Sequence, residues 1–148
     1  MAPAADDPFD LERFVDAQRR LCDWDGVLAE LDAGRKRSHW MWFVFPQLRG
    51  LGHSAYAQRY GIEGLAEARA YARHPLLGPR LRDALQRLER LQGRSAEAVF
   101  GGIDAVKLRS CLTLFELADP AEPACARLLE RWYAGRRDPQ TLALLGLA

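Results

Sequence analysis

Several features that mark large classes of protein are missing from this sequence. It has no stretch close to the roughly 18 continuous apolar residues that a membrane-spanning helix needs, and residues 1–7 carry acids instead of the apolar run of a secretion signal. A formal net charge of +1 gives no basic excess to attract nucleic acid or a membrane surface. A P-loop and a G-x-G-x-x-G fingerprint are also missing, which argues against a P-loop ATPase and a Rossmann enzyme. We therefore expect a soluble, cytoplasmic protein without a nucleic-acid or membrane partner.

Metal and disulfide signatures are missing as well. The three histidines are far apart and form neither an HxxxH nor an HExxH pair. The three cysteines include no CxxC pair and lie in apolar helical patterns, which is typical of free thiols in a reducing compartment. We therefore predict no metal site, no cofactor, and free thiols at Cys22, Cys111 and Cys125.

Helical periodicity extends over most of the chain. With 148 residues, 49% of them hydrophobic, the protein is long enough for one domain with a full core. Apolar residues recur every three or four positions, for example at Leu108, Leu112 and Phe115. The pattern predicts an all-α protein, with a flexible tail over residues 1–8 and a single helical domain over residues 9–146. We expect this compact domain to contain eight to ten mostly short helices around a central aromatic helix.

The ends of several helices are predicted from capping residues. Asp10, Ser38, Asp104 and Asp138 each precede a helical pattern, and each can accept a hydrogen bond from a backbone N–H of the first turn. Asp138 is followed by a proline, which is favoured at the first helical position. Gly34 is placed to end a helix in the left-handed conformation.

The aromatic segment Ser38–Phe45 is the most informative part of the chain. Two of the four tryptophans, Trp40 and Trp42, lie in it beside two phenylalanines, and side chains of this size need to be buried. Its last four residues also favour strands, but no partner strand is near in sequence. We predict a largely buried helix that is capped by Ser38 and limited by Pro46. This helix is either simply the centre of the core, or one side of it forms the wall of a ligand pocket.

In the pocket interpretation, residues in and beside this segment contact a planar, phosphate-bearing ligand. Trp40 or Trp42 would stack on its ring, and His39 or Gln47 would bind the edge of that ring. Three consecutive cations directly before the segment would suit a phosphate. These cations are Arg35, Lys36 and Arg37.

A second group of candidate residues follows two adjacent glycines near the middle of the chain. Lys107 and Ser110 are separated by one helical turn and share a face with Asp104. A lysine in a desolvated site can act as a nucleophile or a base. We predict Lys107 and His39 as catalytic residues, and Ser110 and Arg109 as ligand-binding residues. The alternative is that Asp104 only caps a helix, that Lys107 is solvated, and that Arg109 forms a surface ion pair.

Several runs of residues carry a resemblance to a known family. They are Gly34–Gln47 (GRKRSHWMWFVFPQ), Ala68–Pro75 (ARAYARHP), Phe100-Gly101, Lys107–Ser110 (KLRS) and Thr113–Phe115 (TLF). Over about residues 9–146 the chain resembles the bacterial family called domain of unknown function 1810, which implies a mainly helical fold and no defined activity. Members of that family are often labelled calpastatin, an inhibitor that is a disordered chain, whereas this chain is rich in core residues.

A fainter resemblance extends from about residue 39 to residue 145. The order of an aromatic segment with a histidine, a glycine turn, a helix with a lysine and a leucine-rich last helix is similar to NADAR domains. That resemblance implies a ligand related to ADP-ribose and cleavage of an N-glycosidic bond. Ser38 stands where the acidic residue beside the histidine is expected, so the resemblance implies ligand binding more strongly than catalysis.

We predict an uncharacterised small helical domain that binds or hydrolyses a nucleotide-like, phosphate-bearing ligand such as an ADP-ribose derivative. The sequence leaves open whether it is an enzyme and which oligomeric state it adopts. The alternative is a non-catalytic protein-interaction module. The predicted site residues are His39 and Lys107 for catalysis and, for ligand binding, Arg35, Lys36, Arg37, Trp40, Trp42, Gln47, Arg109 and Ser110.

Overall fold

A computed structural model of the protein describes residues 6–147, so residues 1–5 of the predicted tail lie outside the described part. Within the described part there are nine helices and no strands, which confirms the all-α prediction. The helices are α1 (Glu12–Arg20), α2 (Trp24–Ala33), α3 (Met41–Val44), α4 (Ala55–Arg59), α5 (Leu65–Arg73), α6 (Leu77–Arg90), α7 (Ala96–Ala118), α8 (Ala124–Tyr133) and α9 (Pro139–Leu144).

The core is one continuous cluster with α7 through its middle. The α7 helix packs against α5, α8 and α9, while α6 covers α2, α5 and α8 from the other side. The short α3 packs on α1, and the chain after it forms an isolated parallel bridge between Leu48 and Ile62. No helix among residues 6–147 combines the length and the apolarity needed to cross a bilayer.

The predictions for helix ends are confirmed at Gly34 and Asp138 and are wrong at Asp10. Gly34 ends α2 in the left-handed conformation, and the Asp138 side chain accepts a hydrogen bond from the backbone N–H of Thr141 in α9. Asp10 itself has a positive φ of 52°, and the α1 N-terminus is held instead by Asp7, whose carboxylate accepts from the N–H groups of Leu11 and Glu12. An acid further upstream can reach these groups because the chain turns back at Asp10.

The aromatic helix is shorter than predicted, because Ser38 is engaged elsewhere. The backbone N–H and hydroxyl of Ser38 both donate to the carboxylate of Glu30 on α2, and the helix has Trp40 as its N-cap residue with no side-chain cap. The helix starts only at Met41, and it ends before Phe45, whose helical conformation is disfavoured by the proline that follows. The burial predicted for Ser38–Phe45 is confirmed for Trp40–Phe45 apart from Trp42, which is half-buried, and it is wrong for Ser38 and His39, which are exposed.

The predicted break at the two glycines is confirmed, but the predicted cap at Asp104 is wrong. The backbone of Gly101 has φ 79° and ψ 165°, a conformation that costs little only for glycine, and it divides α7 into residues 96–100 and 102–118. Asp104 lies inside the second part of the helix, and its carboxylate pairs with two lysines instead of with backbone N–H groups.

Trp40 is the largest fully buried side chain of the protein and joins the two parts of the chain that the sequence singled out. Its ring contacts Phe45, at 6.0 Å between ring centroids, and Phe100 at the end of the first part of α7, at 6.4 Å. Its indole N–H donates to Glu30 at 3.2 Å. Packing around Trp40 therefore fixes the aromatic segment against both α2 and α7.

Replacing Trp40 by alanine is expected to lower the free energy of unfolding by about 3–5 kcal/mol, as for other buried aromatic residues. Trp42→Ala should cost clearly less, because Trp42 is half-buried and borders a cavity. Urea unfolding of the two variants tests the difference, and an equal or greater loss for Trp42→Ala would contradict the assignment of Trp40 as the core residue.

Candidate functional site

The strongest candidate for a functional site is a cavity of about 460 Å³ beside α7. We call it the Trp42–Lys107 cavity. Its walls come from α3, from the chain between α3 and α4, from the second part of α7 and from the start of α9. The polar residues on these walls include Gln47, His53, Ser54, Lys107, Ser110, Asp138 and Gln140.

Trp42 and Lys107 are in direct contact at one end of this cavity. The Lys107 ammonium lies 4.6 Å from the centroid of the Trp42 ring, a distance at which a cation is attracted to an aromatic face. The Trp42 ring is also met edge-on by Tyr56, at 5.2 Å between ring centroids and 83° between ring planes. Lys107 and Tyr56 therefore already cover part of the Trp42 ring.

Lys107 is partly exposed to the cavity and has one acidic partner. Its side chain is 23% exposed, and its Nζ lies 3.5 Å from Oδ1 of Asp104, one helical turn earlier. A separation of 3.5 Å is longer than the 2.7–2.9 Å typical of a charge-assisted hydrogen bond. The ammonium thus keeps donor capacity for a further anion.

Gln47 lines the same cavity, and its backbone is held in place by pairing with Ile62. Its carbonyl accepts from the N–H of Ile62 at 2.9 Å, and the N–H of Arg49 donates to the Ile62 carbonyl at 2.8 Å. Among the described residues the side-chain amide of Gln47 has no hydrogen-bond partner, although the residue is only half exposed. An amide in such a position offers two donors and an acceptor to a ligand.

Ser110 and Asp138 form a closed polar network at the α9 end of the cavity. The Ser110 hydroxyl donates to Oδ2 of Asp138 at 3.1 Å, and the same oxygen accepts from the backbone N–H and the hydroxyl of Thr141. The backbone N–H of Asp138 in turn donates to Thr113. The network holds α9 on α7, so Ser110 lines the cavity with its hydroxyl already engaged.

His39 lies on a different cavity, of about 360 Å³, between α2 and the chain that leads to α3. Its side chain is exposed, and the neighbouring lining residues include Asp23, Glu30 and Ser38. Lys107 does not line this cavity, and His39 does not line the Trp42–Lys107 cavity. The two predicted catalytic residues are therefore not brought together around one cavity, and their catalytic roles stay predictions.

Glu30 organises the cavity that contains His39. Its carboxylate accepts four hydrogen bonds, from the backbone N–H groups of Arg37 and Ser38, from the Ser38 hydroxyl and from the indole of Trp40. Burial alone would raise the pKa of Glu30, but the hydrogen bonds from these groups outweigh it, so the pKa is lowered. The carboxylate is therefore a fixed anion that holds residues 37–40 in place.

The three cations before the aromatic segment do not act as a group. Arg35 and Arg37 are exposed, whereas the Lys36 side chain is only 8% exposed and its Nζ lies 2.9 Å from Oδ2 of Asp104. The Arg109 guanidinium donates to the carbonyls of Arg136 and Arg137, and Arg109 does not line the Trp42–Lys107 cavity. Only Lys36 is linked to the Trp42–Lys107 cavity, and the link runs through Asp104.

The cysteines are poor candidates for a nucleophile. Burial raises the pKa of the Cys111 and Cys125 thiols, and it also raises that of the half-buried Cys22 thiol, against the opposing effect of Arg80. All three are therefore neutral thiols near pH 7. Within residues 6–147 no three His, Cys, Asp or Glu side chains are grouped so that they could hold a metal ion.

The sequence reasoning missed His53, Gln140 and two apolar residues on the rim of the cavity. Ile103 and Val106 lie directly after the glycine break and are 77% and 64% exposed, respectively. They do not fall on the buried stripe of α7 that contains Leu108 and Phe115. Their apolar side chains, at helix positions outside the buried stripe, are the sequence signal that could have identified Ile103 and Val106. His53 and Gln140 had none, because only the folded chain brings the α3–α4 connection and α9 together.

These features define a small all-α domain with one partly apolar cavity that is bordered by a lysine and a free amide. The chain belongs to the family described as protein of unknown function DUF1810, which matches residues 8–145. It is also similar to a solved protein, the conserved hypothetical protein Rv1873 from Mycobacterium tuberculosis, with 53% identity and a TM-score of 0.91. That similarity covers 96% of this chain and 100% of the other. No curated protein is significantly similar in sequence, and the resemblance to NADAR domains stays a prediction.

Replacing Glu30 by glutamine is expected to reduce the loss of folding stability that occurs as the pH is lowered. Because the pKa of Glu30 is lower in the folded protein than in the unfolded chain, Glu30 stabilises the fold above the unfolded value of about 4.3, and this contribution is lost as the pH falls through the folded value. The free energy of unfolding, measured from pH 7 down to pH 3, should therefore fall less steeply for Glu30→Gln than for the unsubstituted protein. Glu63→Gln, at an exposed surface ion pair, is the matched control. Equal slopes for Glu30→Gln and the unsubstituted protein would contradict this role.

Proposed function

We propose that this protein binds a small nucleotide-like, phosphate-bearing ligand in the Trp42–Lys107 cavity. The proposal rests on one observation: two polar groups from distant parts of the chain border the same cavity. The Lys107 ammonium and the Gln47 amide both border it, and neither has its donors fully engaged. A cavity that combines apolar walls with placed polar groups is the usual form of a small-molecule site.

Each group suits one part of such a ligand. Lys107 would bind phosphate as a point charge. Gln47 would pair with the donor and acceptor edge of a base, and the exposed Ile103 and Val106 would cover the apolar face of its ring. Trp42 would support Lys107 and offer a stacking surface only where Lys107 and Tyr56 leave its ring open.

The size of the site favours a ligand larger than a single nucleotide base. The cavity volume of about 460 Å³ lies within the range of about 300–1,000 Å³ that is usual for ligand sites. A shallower cavity of about 400 Å³ adjoins it and shares Leu51, His53 and Gln140 with it. Two adjoining parts would suit a ligand with two linked units, such as an ADP-ribose derivative.

Binding, rather than hydrolysis, is the activity that we propose. The imidazole on this cavity belongs to His53, whereas the predicted catalytic His39 borders the other cavity. A general acid or base has to come within about 3 Å of the proton that it moves. A cleavage reaction at this site would therefore use His53 in place of His39.

A second candidate function is a non-catalytic protein-interaction module, and one observation favours it. Ile103, Val106 and Leu144 are 77%, 64% and 56% exposed, respectively, and all three border the two adjoining cavities. Exposed apolar groups of this kind are common at protein interfaces. The ligand proposal is preferred because Lys107 and Gln47 are recessed polar groups, which a flat apolar contact would leave unpaired.

The proposal is tested by replacing Lys107 with methionine, which keeps an unbranched side chain one atom shorter and removes its charge. Binding of AMP and of ADP-ribose is measured by thermal shift and calorimetry, with adenosine as the ligand without phosphate. We expect AMP at about 100 times its dissociation constant to stabilise the unsubstituted protein by about 2.7 kcal/mol. Lys107→Met should lose this stabilisation and keep the melting temperature of the free protein, because Lys107 is partly exposed.

The control is Arg69→Met, which removes the same charge at an exposed position of α5, away from the cavities. It should bind AMP like the unsubstituted protein. Failure of the unsubstituted protein to bind either AMP or ADP-ribose saturably would overturn the proposal. Equal affinities of Lys107→Met and Arg69→Met would overturn the site.

A further inference from the structure

The only two lysines of the sequence share one carboxylate. Asp104 lies between them, with Oδ2 at 2.9 Å from Nζ of Lys36 and Oδ1 at 3.5 Å from Nζ of Lys107. The three side chains are 8% exposed at Lys36, 20% at Asp104 and 23% at Lys107. The lysine nearest to the interior thus makes the shorter contact, and the lysine on the cavity makes the longer one.

Both lysines are also held against tryptophan rings. The Lys36 ammonium lies 4.9 Å from the centroid of the Trp40 ring, and the Lys107 ammonium lies 4.6 Å from that of Trp42. Each contact favours the charged ammonium over the face of its ring. The two tryptophans of the aromatic segment therefore carry one lysine each, and Asp104 connects the two pairs.

The position of Lys36 is fixed independently of Asp104. Its backbone N–H donates to the carbonyl of Val99 at 2.8 Å, and its Nζ donates to the carbonyl of Ser38 at 2.5 Å. These bonds tie the chain before α3 to the first part of α7, next to the break at Gly101. A buried and fixed cation neutralises a nearby carboxylate more effectively than a mobile surface lysine.

We infer that Lys36 is a positioning residue of the Trp42–Lys107 cavity: by neutralising Asp104, it keeps the Lys107 ammonium available to an anionic group of the ligand. This inference rests on the proposed function. The three side chains together carry one net positive charge, and that charge faces the cavity at Lys107. Without Lys36, Asp104 becomes an internal anion that competes with the ligand for Lys107.

The test is a double-mutant cycle with AMP as the probe. Lys36→Met leaves Lys36, Asp104 and Lys107 without net charge, so AMP affinity should fall about tenfold. This is the effect of losing one unit charge about 8 Å from the charge of the ligand, at an effective dielectric constant of about 30. Asp104→Asn leaves two positive charges and should raise the affinity by a similar factor. The double variant has one net charge again and should bind nearly as the unsubstituted protein does.

Two further variants separate this effect from loss of structure. Arg69→Met removes the same charge elsewhere and should not change AMP affinity, whereas Lys36→Arg keeps the charge and should retain binding. Equal AMP affinities of Lys36→Met and Arg69→Met would overturn the inference while the proposed function stands. If Lys36→Met does not fold, unchanged or weaker AMP binding by Asp104→Asn overturns the inference by itself.

A spectroscopic readout does not depend on any ligand. With lysine labelled by ¹³C at Cε, the protein gives only two lysine signals, and both should be shifted by the ring currents of the tryptophans. Lys36→Met and Asp104→Asn should each move the Lys107 signal, whereas Arg69→Met should not. If the unsubstituted protein binds neither AMP nor ADP-ribose, the proposed function fails. The Lys107 signal then tests the coupling between Lys36, Asp104 and Lys107 by itself. A shift of that signal in the two variants supports the coupling, and an unchanged signal overturns it.

Discussion

The Glu30 carboxylate and the four donors around it hold the segment on which both cavities depend. Glu30 lies on α2, and its hydrogen bonds to residues 37, 38 and 40 bend the chain so that the Trp40 indole enters the core. The single turn of α3 begins directly after this bend, at Met41, and Trp42 lies at the edge of the core. An ionised acceptor with four hydrogen bonds of 2.7–3.2 Å is a strong constraint because each bond to a charged group is worth more than a neutral one. The remaining packing, including the contacts of Trp40 with Phe45 and Phe100, follows from that position.

The break at Gly101 has the corresponding effect in α7. Because the backbone at this residue has a positive φ, the helix restarts in a new direction, and residues 102–118 present one face to the core and another to the cavity. Lys107 comes from the cavity face, close to the aromatic segment, although the two are about 65 positions apart in the sequence. The candidate site is therefore produced by two local irregularities, the bend at residues 37–40 and the break at residue 101.

The electrostatics of the site are set by few charges. The chain has 21 basic and 20 acidic residues, and most ion pairs are on its surface, where solvent screens them. The group of Lys36, Asp104 and Lys107 differs because it is mostly buried and lies between two tryptophan rings. Its single net positive charge leaves one ammonium, that of Lys107, for an anionic group of the proposed ligand.

The sequence by itself determined the helical class, the single core, the end of α2 at Gly34, the cap at Asp138 and the importance of the aromatic segment, because these depend on local patterns and on the need to bury large apolar groups. It also indicated the family, through the run from residue 34 to residue 47. Only the tertiary structure decided which tryptophan is core and which borders a cavity, and that Asp104 pairs with two lysines instead of capping a helix. It also placed His39 and Lys107 on different cavities and brought His53 and Gln140 to the cavity that Lys107 lines. These outcomes depend on contacts between distant parts of the chain, such as Ser38 with Glu30 and Lys36 with Asp104, and no spacing in the sequence encodes such contacts.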